Sequence, residues 1–82
     1  MRRRRMRYRA WHRGTRELDL LLGPFADAEL DRMDADELDR FENLLEHEET
    51  DLQAWLLMQA VPPVVADPEL IARIIAQKTA KR

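Results

Sequence analysis

The sequence predicts an all-α protein, a compact five-helix bundle that forms a single domain over residues 1–82. First, apolar residues recur every three or four positions along most of the chain, which is the spacing of one helix face. Second, the 82 residues include only two glycines, and the apolar residues are mostly leucine and alanine, which favour helices over strands. Third, residues that cap helix ends recur between the apolar segments.

The first predicted helix spans residues 2–13 and is covered with arginine. Two apolar pairs at helical spacing, Met6 with Ala10 and Tyr8 with Trp11, place a modest apolar stripe on this basic helix. No helix-breaking residue occurs before position 14, so the helix is expected to be continuous.

The second predicted helix follows a tight corner at Gly14, because glycine just beyond a helix takes positive φ at no steric cost. The helix starts near Thr15 and runs to about Arg32. Its core face is expected to consist of Leu18, Leu21, Leu22, Phe25 and Leu30. Gly23 and Pro24 predict a kink or a break, since proline lacks the N–H that the helix needs.

The third and fourth helices are predicted from capping patterns. Asp34 and Glu37 form a capping box for a helix that ends near Glu48 or Glu49. Its expected inward side chains are Leu38, Phe41, Leu44 and Leu45. The fourth helix is capped either by the pair Thr50 and Gln53 or by Asp51, and it ends before the Pro62–Pro63 pair. Its expected apolar side chains are Leu52, Trp55 and Leu56, so that the acidic helices cover residues 15–60.

Residues 61–66 are expected to form an extended connector to the last helix, which spans residues 67–80. Asp67 is the predicted N-cap and Pro68 the first-turn proline. The expected apolar stripe of this helix is Leu70, Ile71, Ile74 and Ile75. The cations that suit its C-terminal dipole are Lys78, Lys81 and Arg82.

The net charge of −2 hides a steep charge gradient along the chain. Residues 1–16 hold eight arginines and no acid, whereas residues 17–69 hold all sixteen Asp and Glu residues. Such a basic arm is typical of a nucleic-acid contact, an anionic-membrane contact or a protein-binding face. Because the acidic remainder repels phosphate, we expect no nucleic-acid partner. For residues 2–5 we expect intramolecular pairing or solvation.

The composition argues against an enzyme and against a membrane protein. Cysteine is absent, serine is absent, and the hydroxyl groups are those of Tyr8 and three threonines, so activated nucleophiles are scarce. Neither histidine has metal-ligand spacing, and we expect no metal site. No segment approaches the ~20 apolar residues of a membrane span. The arginine-rich start lacks the serines of a transit peptide, and we expect a cytoplasmic protein.

Arg13, Gly14 and Glu17 form the candidate functional cluster, at residues 13–17. An arginine fork, a residue without a side chain and a carboxylate meet at one corner, where a partner's backbone could approach closely. The same residues also suit a purely structural interpretation, a helix C-cap followed by a glutamate that complements the next helix dipole. Spacing alone leaves both interpretations open.

The segment Arg13-Gly14-Thr15-Arg16-Glu17 resembles the arginine-glycine-x-x-glutamate (RGxxE) motif of the succinate dehydrogenase flavinylation factor family. The resemblance continues through residues 17–26, 44–46 and 51–56, and so covers nearly the whole chain. It implies a five-helix protein of the cytoplasm, or of the mitochondrial matrix in a eukaryote. Such a protein binds the flavoprotein subunit of succinate dehydrogenase, in some bacteria of fumarate reductase.

The resemblance further implies an assembly factor that promotes covalent attachment of FAD to a histidine of the partner by holding a reactive conformation. FAD then belongs to the partner, and we expect the chain to bind no cofactor tightly and to be a monomer when free. The expected contact residues are Arg13, Gly14 and Glu17, flanked by Arg7, Tyr8, Arg9, Trp11 and Arg16. Replacing Arg13 or Glu17 by alanine is expected to weaken binding to the partner with little change in the melting temperature of the chain. Alternatives are a nucleic-acid-associated regulator that uses the arginine arm, and a plain interaction module.

Overall fold

Five α-helices account for most of the chain in the computed structural model, which describes the backbone of residues 2–80 and the side chains of residues 2–77. The helices are α1 (Arg2–Trp11), α2 (Arg16–Glu29), α3 (Ala35–Leu45), α4 (Glu49–Leu56) and α5 (Pro68–Ala80). Short 3-10 turns occupy Leu30–Arg32 and Val64–Ala66. The predicted all-α bundle is confirmed, with no strand among the described residues. The expected role of Lys78, Lys81 and Arg82 lies outside the described side chains.

The central helix of the bundle is α2, against which α1, α4 and α5 all pack. Every helix contributes to one core, whose largest fully buried side chains are Met6, Leu18, Leu22, Phe25, Leu30, Phe41, Leu44, Leu45, Leu52, Leu70 and Ile74. The predicted core faces of the second and third helices are buried throughout. Among the described residues the core contains no buried polar or charged residue. Burial of apolar surface therefore supplies most of the stabilisation.

Two predicted helix starts are confirmed in detail. Thr15 caps α2, because its hydroxyl oxygen accepts from the N–H of Leu18 at 3.3 Å. Asp34 and Glu37 form a reciprocal capping box at α3, with bonds of 2.9 and 3.2 Å. These caps act within three residues, which explains why a short stretch of sequence predicts them.

Of the kink or break predicted at Gly23 and Pro24, the break does not occur, since α2 is continuous from Arg16 to Glu29. Pro24 removes only the helical hydrogen bond to the carbonyl of Leu20. Gly23 is buried, and the indole of Trp11 lies directly over it. The packing of α1 on α2 through this contact holds the helix together where local propensity is poor.

The predicted boundary between the third and fourth helices is wrong. Helix α3 ends at Leu45 rather than at Glu48 or Glu49, and α4 begins at Glu49 with Glu48 as an N-cap that makes no side-chain hydrogen bond. The predicted cap of the fourth helix was either the pair Thr50 and Gln53 or Asp51 alone. All three residues lie inside α4. The cause is a tertiary contact: arginines from α1 and from the corner donate to the carbonyls of Leu45 and His47.

The connector predicted as extended over residues 61–66 is extended only as far as Pro63, because Val64–Ala66 forms a 3-10 turn. Asp67 follows in a left-handed conformation with φ 64°, and its carboxylate caps α5 by accepting from the N–H of Leu70 at 3.1 Å. Arg40 binds the same carboxylate in a bidentate pair at 2.7 and 2.9 Å. This pair holds the pKa of Asp67 below its usual range, so its stabilisation is present above the unfolded-state pKa and is lost as acid protonates the folded carboxylate.

None of the helices described between residues 2 and 80 combines the length and apolar character that a membrane crossing requires.

Candidate functional site

The corner between α1 and α2 is a tight turn at the protein surface. Gly14 has φ 102°, a conformation that side-chain-bearing L-residues rarely adopt, and it is exposed to solvent. The predicted positive φ is therefore confirmed. A shallow, open depression at the corner is lined by His12, Gly14, Thr15, Arg16 and Asp19. The corner thus presents bare backbone to solvent, surrounded by polar side chains.

Arg13 joins this corner to the junction between α3 and α4. Its guanidinium donates from Nη1 to the carbonyl of Leu45 at 2.7 Å and from Nη2 to the carbonyl of His47 at 3.0 Å. Its backbone N–H donates to the carboxylate of Asp19 at 2.7 Å. Partial burial lowers the pKa of the guanidinium, which nevertheless stays charged. The last carbonyls of a helix have no hydrogen-bond donor within that helix. Arg13 therefore supplies donors to carbonyls at the end of α3.

This geometry changes what we expect of Arg13→Ala, for which the sequence suggested little change in stability. Removing the guanidinium takes the Arg13 donor away from the His47 carbonyl and leaves the Leu45 carbonyl with only the longer bond from Arg9, which costs about 1–2 kcal/mol. The melting temperature should fall by about 4–8 °C per kcal/mol. Arg16→Ala is the matched control, because Arg16 is exposed and its side chain makes no hydrogen bond or ion pair with a described residue. Equal melting temperatures for the two variants would show that Arg13 contributes nothing to the fold.

Glu17 differs from Arg13, because its side chain is exposed and makes no hydrogen bond or ion pair within the described residues. It lies in the first turn of α2, where a carboxylate suits the helix dipole. Arg13 and Glu17 make no direct pair in the described structure. Glu17 is therefore the charged side chain of the motif that is available to another molecule.

Glu49 is a residue of the corner that the sequence did not reveal. A Cβ atom built on Gly14 would lie 2.5 Å from Glu49 Oε2, so the first residue of α4 places its carboxylate beside the bare turn. No local pattern connects positions 14 and 49, since only the packing of α4 against α2 brings them together. Asp19, which also lay outside the predicted set, binds the turn through the Arg13 N–H.

Two of the predicted flanking arginines are engaged within the chain. Arg7 pairs with Asp27 at 3.1 Å and with Asp31 at 3.6 Å. Arg9 pairs with Glu46 at 3.1 Å and also donates to the Leu45 carbonyl at 3.3 Å. Both side chains are about one-third exposed. Contact with a partner through either residue would compete with these internal bonds.

The start of the arginine arm is also partly engaged. Arg2 pairs with Asp39 and with Glu42, the latter at 2.9 Å, and the pKa of its guanidinium is raised chiefly by the bond to Asp39. Arg3 donates to the carbonyl of Leu30, the first residue of the 3-10 turn after α2, and to the carbonyl of Met33, which follows that turn. The intramolecular role expected for residues 2–5 therefore holds for these two positions.

The two flanking aromatic residues have different environments. Tyr8 is 64% exposed and stacks on His12, with ring centroids 4.1 Å apart. Trp11 is half-buried over Gly23, and its indole N–H donates to Asp27 at 3.3 Å. Tyr8 is thus accessible to a partner, whereas Trp11 mainly joins α1 to α2.

Comparisons with known proteins agree on one family. A family model described as flavinator of succinate dehydrogenase matches residues 4–78. The FAD assembly factor SdhE of Acetobacter pasteurianus is 38% identical over 81 residues, which cover 99% of this chain and 74% of that protein. The FAD assembly factor SdhE of Pseudomonas aeruginosa is 40% identical over 70 residues, 83% of this chain and 82% of that protein.

A mitochondrial protein is also similar. Succinate dehydrogenase assembly factor 2 of Cryptococcus neoformans is 39% identical over 59 residues, which cover 72% of this chain but only 34% of that longer protein. No solved structure matches the chain significantly.

Proposed function

The chain belongs to the family of flavinators of succinate dehydrogenase, and we propose that it binds the flavoprotein subunit of that enzyme and promotes covalent FAD attachment there. One observation carries the proposal: the family match over residues 4–78 includes the whole corner from Arg13 to Glu17. At this corner the backbone of Gly14 and the carboxylate of Glu17 are exposed together. The flavoprotein subunit of fumarate reductase is a second partner of the same chemistry.

The contribution of the chain is positioning, and the new bond forms within the partner. A protein that binds one conformation of its partner shifts the population toward that conformation without supplying a reacting group. The chain lacks cysteine and serine, which supports a role without catalysis of its own. FAD is the partner's ligand in this proposal, and the chain itself holds no cofactor tightly and is a monomer when free. It works where the flavoprotein is assembled, in the bacterial cytoplasm or the mitochondrial matrix.

The test is reconstitution of the partner with and without this chain. The flavoprotein subunit is produced in a host that lacks its own assembly factor, and covalently bound flavin is read as fluorescence in a denaturing gel. We expect strong fluorescence only when the chain is co-produced. Equal fluorescence in its absence, together with no measurable binding between the purified proteins, would overturn the proposal.

Glu17→Gln should reduce partner flavinylation by at least about tenfold, because a charge-assisted bond across an interface is worth roughly 2 kcal/mol or more. The melting temperature should stay nearly unchanged, because Glu17 makes no internal bond in the described structure. Asp36→Asn is the matched control: Asp36 is likewise exposed and occupies the second position of α3, as Glu17 does in α2. A loss of flavinylation equal in both variants would show that the helix dipole, rather than contact, explains the effect.

A further inference from the structure

The eight arginines of residues 1–16 fall into two groups once their contacts are known. Five of them bind carboxylates or carbonyls of this chain, namely Arg2, Arg3, Arg7, Arg9 and Arg13. The other three, Arg4, Arg5 and Arg16, are exposed, and their side chains make no hydrogen bond or ion pair with the residues that the structure describes. Five of the eight arginines therefore make contacts within the fold, and the other three remain available to another molecule.

These three cations lie along one continuous surface. Arg4 and Arg5 precede the exposed Tyr8 by four and three residues, so their side chains are its neighbours on α1. Tyr8 stacks on His12, which also bonds the Tyr8 carbonyl through Nδ1 at 2.8 Å. His12 and Arg16 line the depression at Gly14. We call this set, Arg4, Arg5, Tyr8, His12 and Arg16, the outer strip.

We propose that the outer strip docks on an acidic surface of the flavoprotein subunit and steers the Gly14 corner to its binding position. This inference rests on the proposed function, and it specifies the kind of surface on the partner that the site contacts. Unpaired cations close together raise the association rate with an oppositely charged surface. At one end of the strip, His12 and Arg16 line the depression at the corner. An acidic surface that binds the strip therefore lies beside the corner.

The amount and kind of exposed charge favour a protein rather than a nucleic acid. Non-specific DNA binding comes from cations that neutralise phosphates, whereas this surface offers only three unpaired arginines and the whole chain has a net charge of −2. The exposed Tyr8 and His12 rings, which stack on each other, add an aromatic area between the cations. Arginine and tyrosine are the residue types enriched in protein–protein interfaces.

The test measures association kinetics between the chain and the purified flavoprotein subunit loaded with FAD, at low, physiological and high salt. Arg5→Glu should slow association by about tenfold at low salt, with little change in dissociation, and the difference should disappear at about 0.5 M salt, where charges are screened beyond a few ångströms. Arg32→Glu carries the same charge change at a remote, 71% exposed position. This control should alter association by less than about twofold.

The outcomes separate this inference from the proposed function. If Gly14→Arg abolishes binding while Arg5→Glu and Arg32→Glu behave alike at low salt, the strip does not steer and the proposed function stands. If the wild-type chain binds no flavoprotein at any salt concentration, both proposals are wrong. Duplex DNA and vesicles with anionic lipid serve as further probes. Binding of either at physiological salt that Arg5→Glu removes, without a change in flavoprotein association, would assign the strip to phosphate instead.

Discussion

Gly14→Arg should abolish flavinylation of the partner while leaving the bundle folded. The variant must hold a bulky side chain at φ 102°, which costs about 1–2 kcal/mol of stability. The nearest obstacle to the new Cβ is the Glu49 carboxylate, the far end of a flexible side chain that can move aside. The arginine then projects from the surface where the partner's backbone is to approach. We expect binding to weaken by at least about 100-fold, as at an interface hot spot.

The measurement pairs in-gel flavin fluorescence of the partner with circular dichroism and melting of the variant. Gly14→Ala is the matched control, because it introduces the same backbone strain without the bulk. It should lose similar stability but retain part of the flavinylation. A soluble, helical Gly14→Arg protein that restores full fluorescence would show that the partner does not approach this corner.

Gly23→Val should cause the largest loss of stability of the changes considered. A Cβ at position 23 would overlap three carbon atoms of the Trp11 indole ring, namely Cδ2, Cε2 and Cε3. The ring must leave its place, which also breaks the indole bond to Asp27. Overpacking of this kind costs about 1–3 kcal/mol, and loss of the α1–α2 contact adds to it. In so small a domain, a melting temperature about 10–20 °C lower is expected.

Trp11→Ala provides the control for this prediction. Removing the indole creates room for the valine, so the double variant Gly23→Val, Trp11→Ala should be more stable than the sum of the single changes predicts. The coupling is read from the four free energies of unfolding in a double-mutant cycle. If the two single changes have additive effects on the free energy of unfolding, the missing side chain at Gly23 is not what makes room for Trp11. In that case the low helix propensity of valine would explain the loss of stability.

The motif residues divide between fold and contact in a way that their spacing did not reveal. Two interpretations were open for Arg13, Gly14 and Glu17, a structural cap and a partner-binding corner. Arg13 has a structural role that differs from the predicted cap of the first helix, because its guanidinium donates to carbonyls at the end of α3. Glu17 and Gly14 suit the second, since both are exposed. Arg13→Ala and Glu17→Gln should therefore act through stability and through binding, respectively.

The site could be predicted only in part, for reasons that differ between residues. The left-handed turn at Gly14 follows from a glycine at the end of a helical stretch. The carboxylate of Glu49 beside it has no local signal, since thirty-five positions separate the two residues. Likewise, nothing in an arginine-rich helix distinguishes Arg5, which is unpaired in the described structure, from Arg9, which binds Glu46. Only the placement of α2 and α3 against α1 decides which arginines find carboxylates.

The sequence by itself determined five helices and their buried faces, the start of α2 near Thr15, the caps at Asp34 and Asp67, and the left-handed turn at Gly14. All of these depend on residues within about four positions of one another, so a short window contains the interacting groups. The tertiary structure alone decided that α2 runs through Pro24, that α3 stops at Leu45, and which arginines remain available. Those outcomes depend on side chains far apart in sequence, and long cationic side chains bind whichever carbonyl or carboxylate the packing of the helices brings within reach.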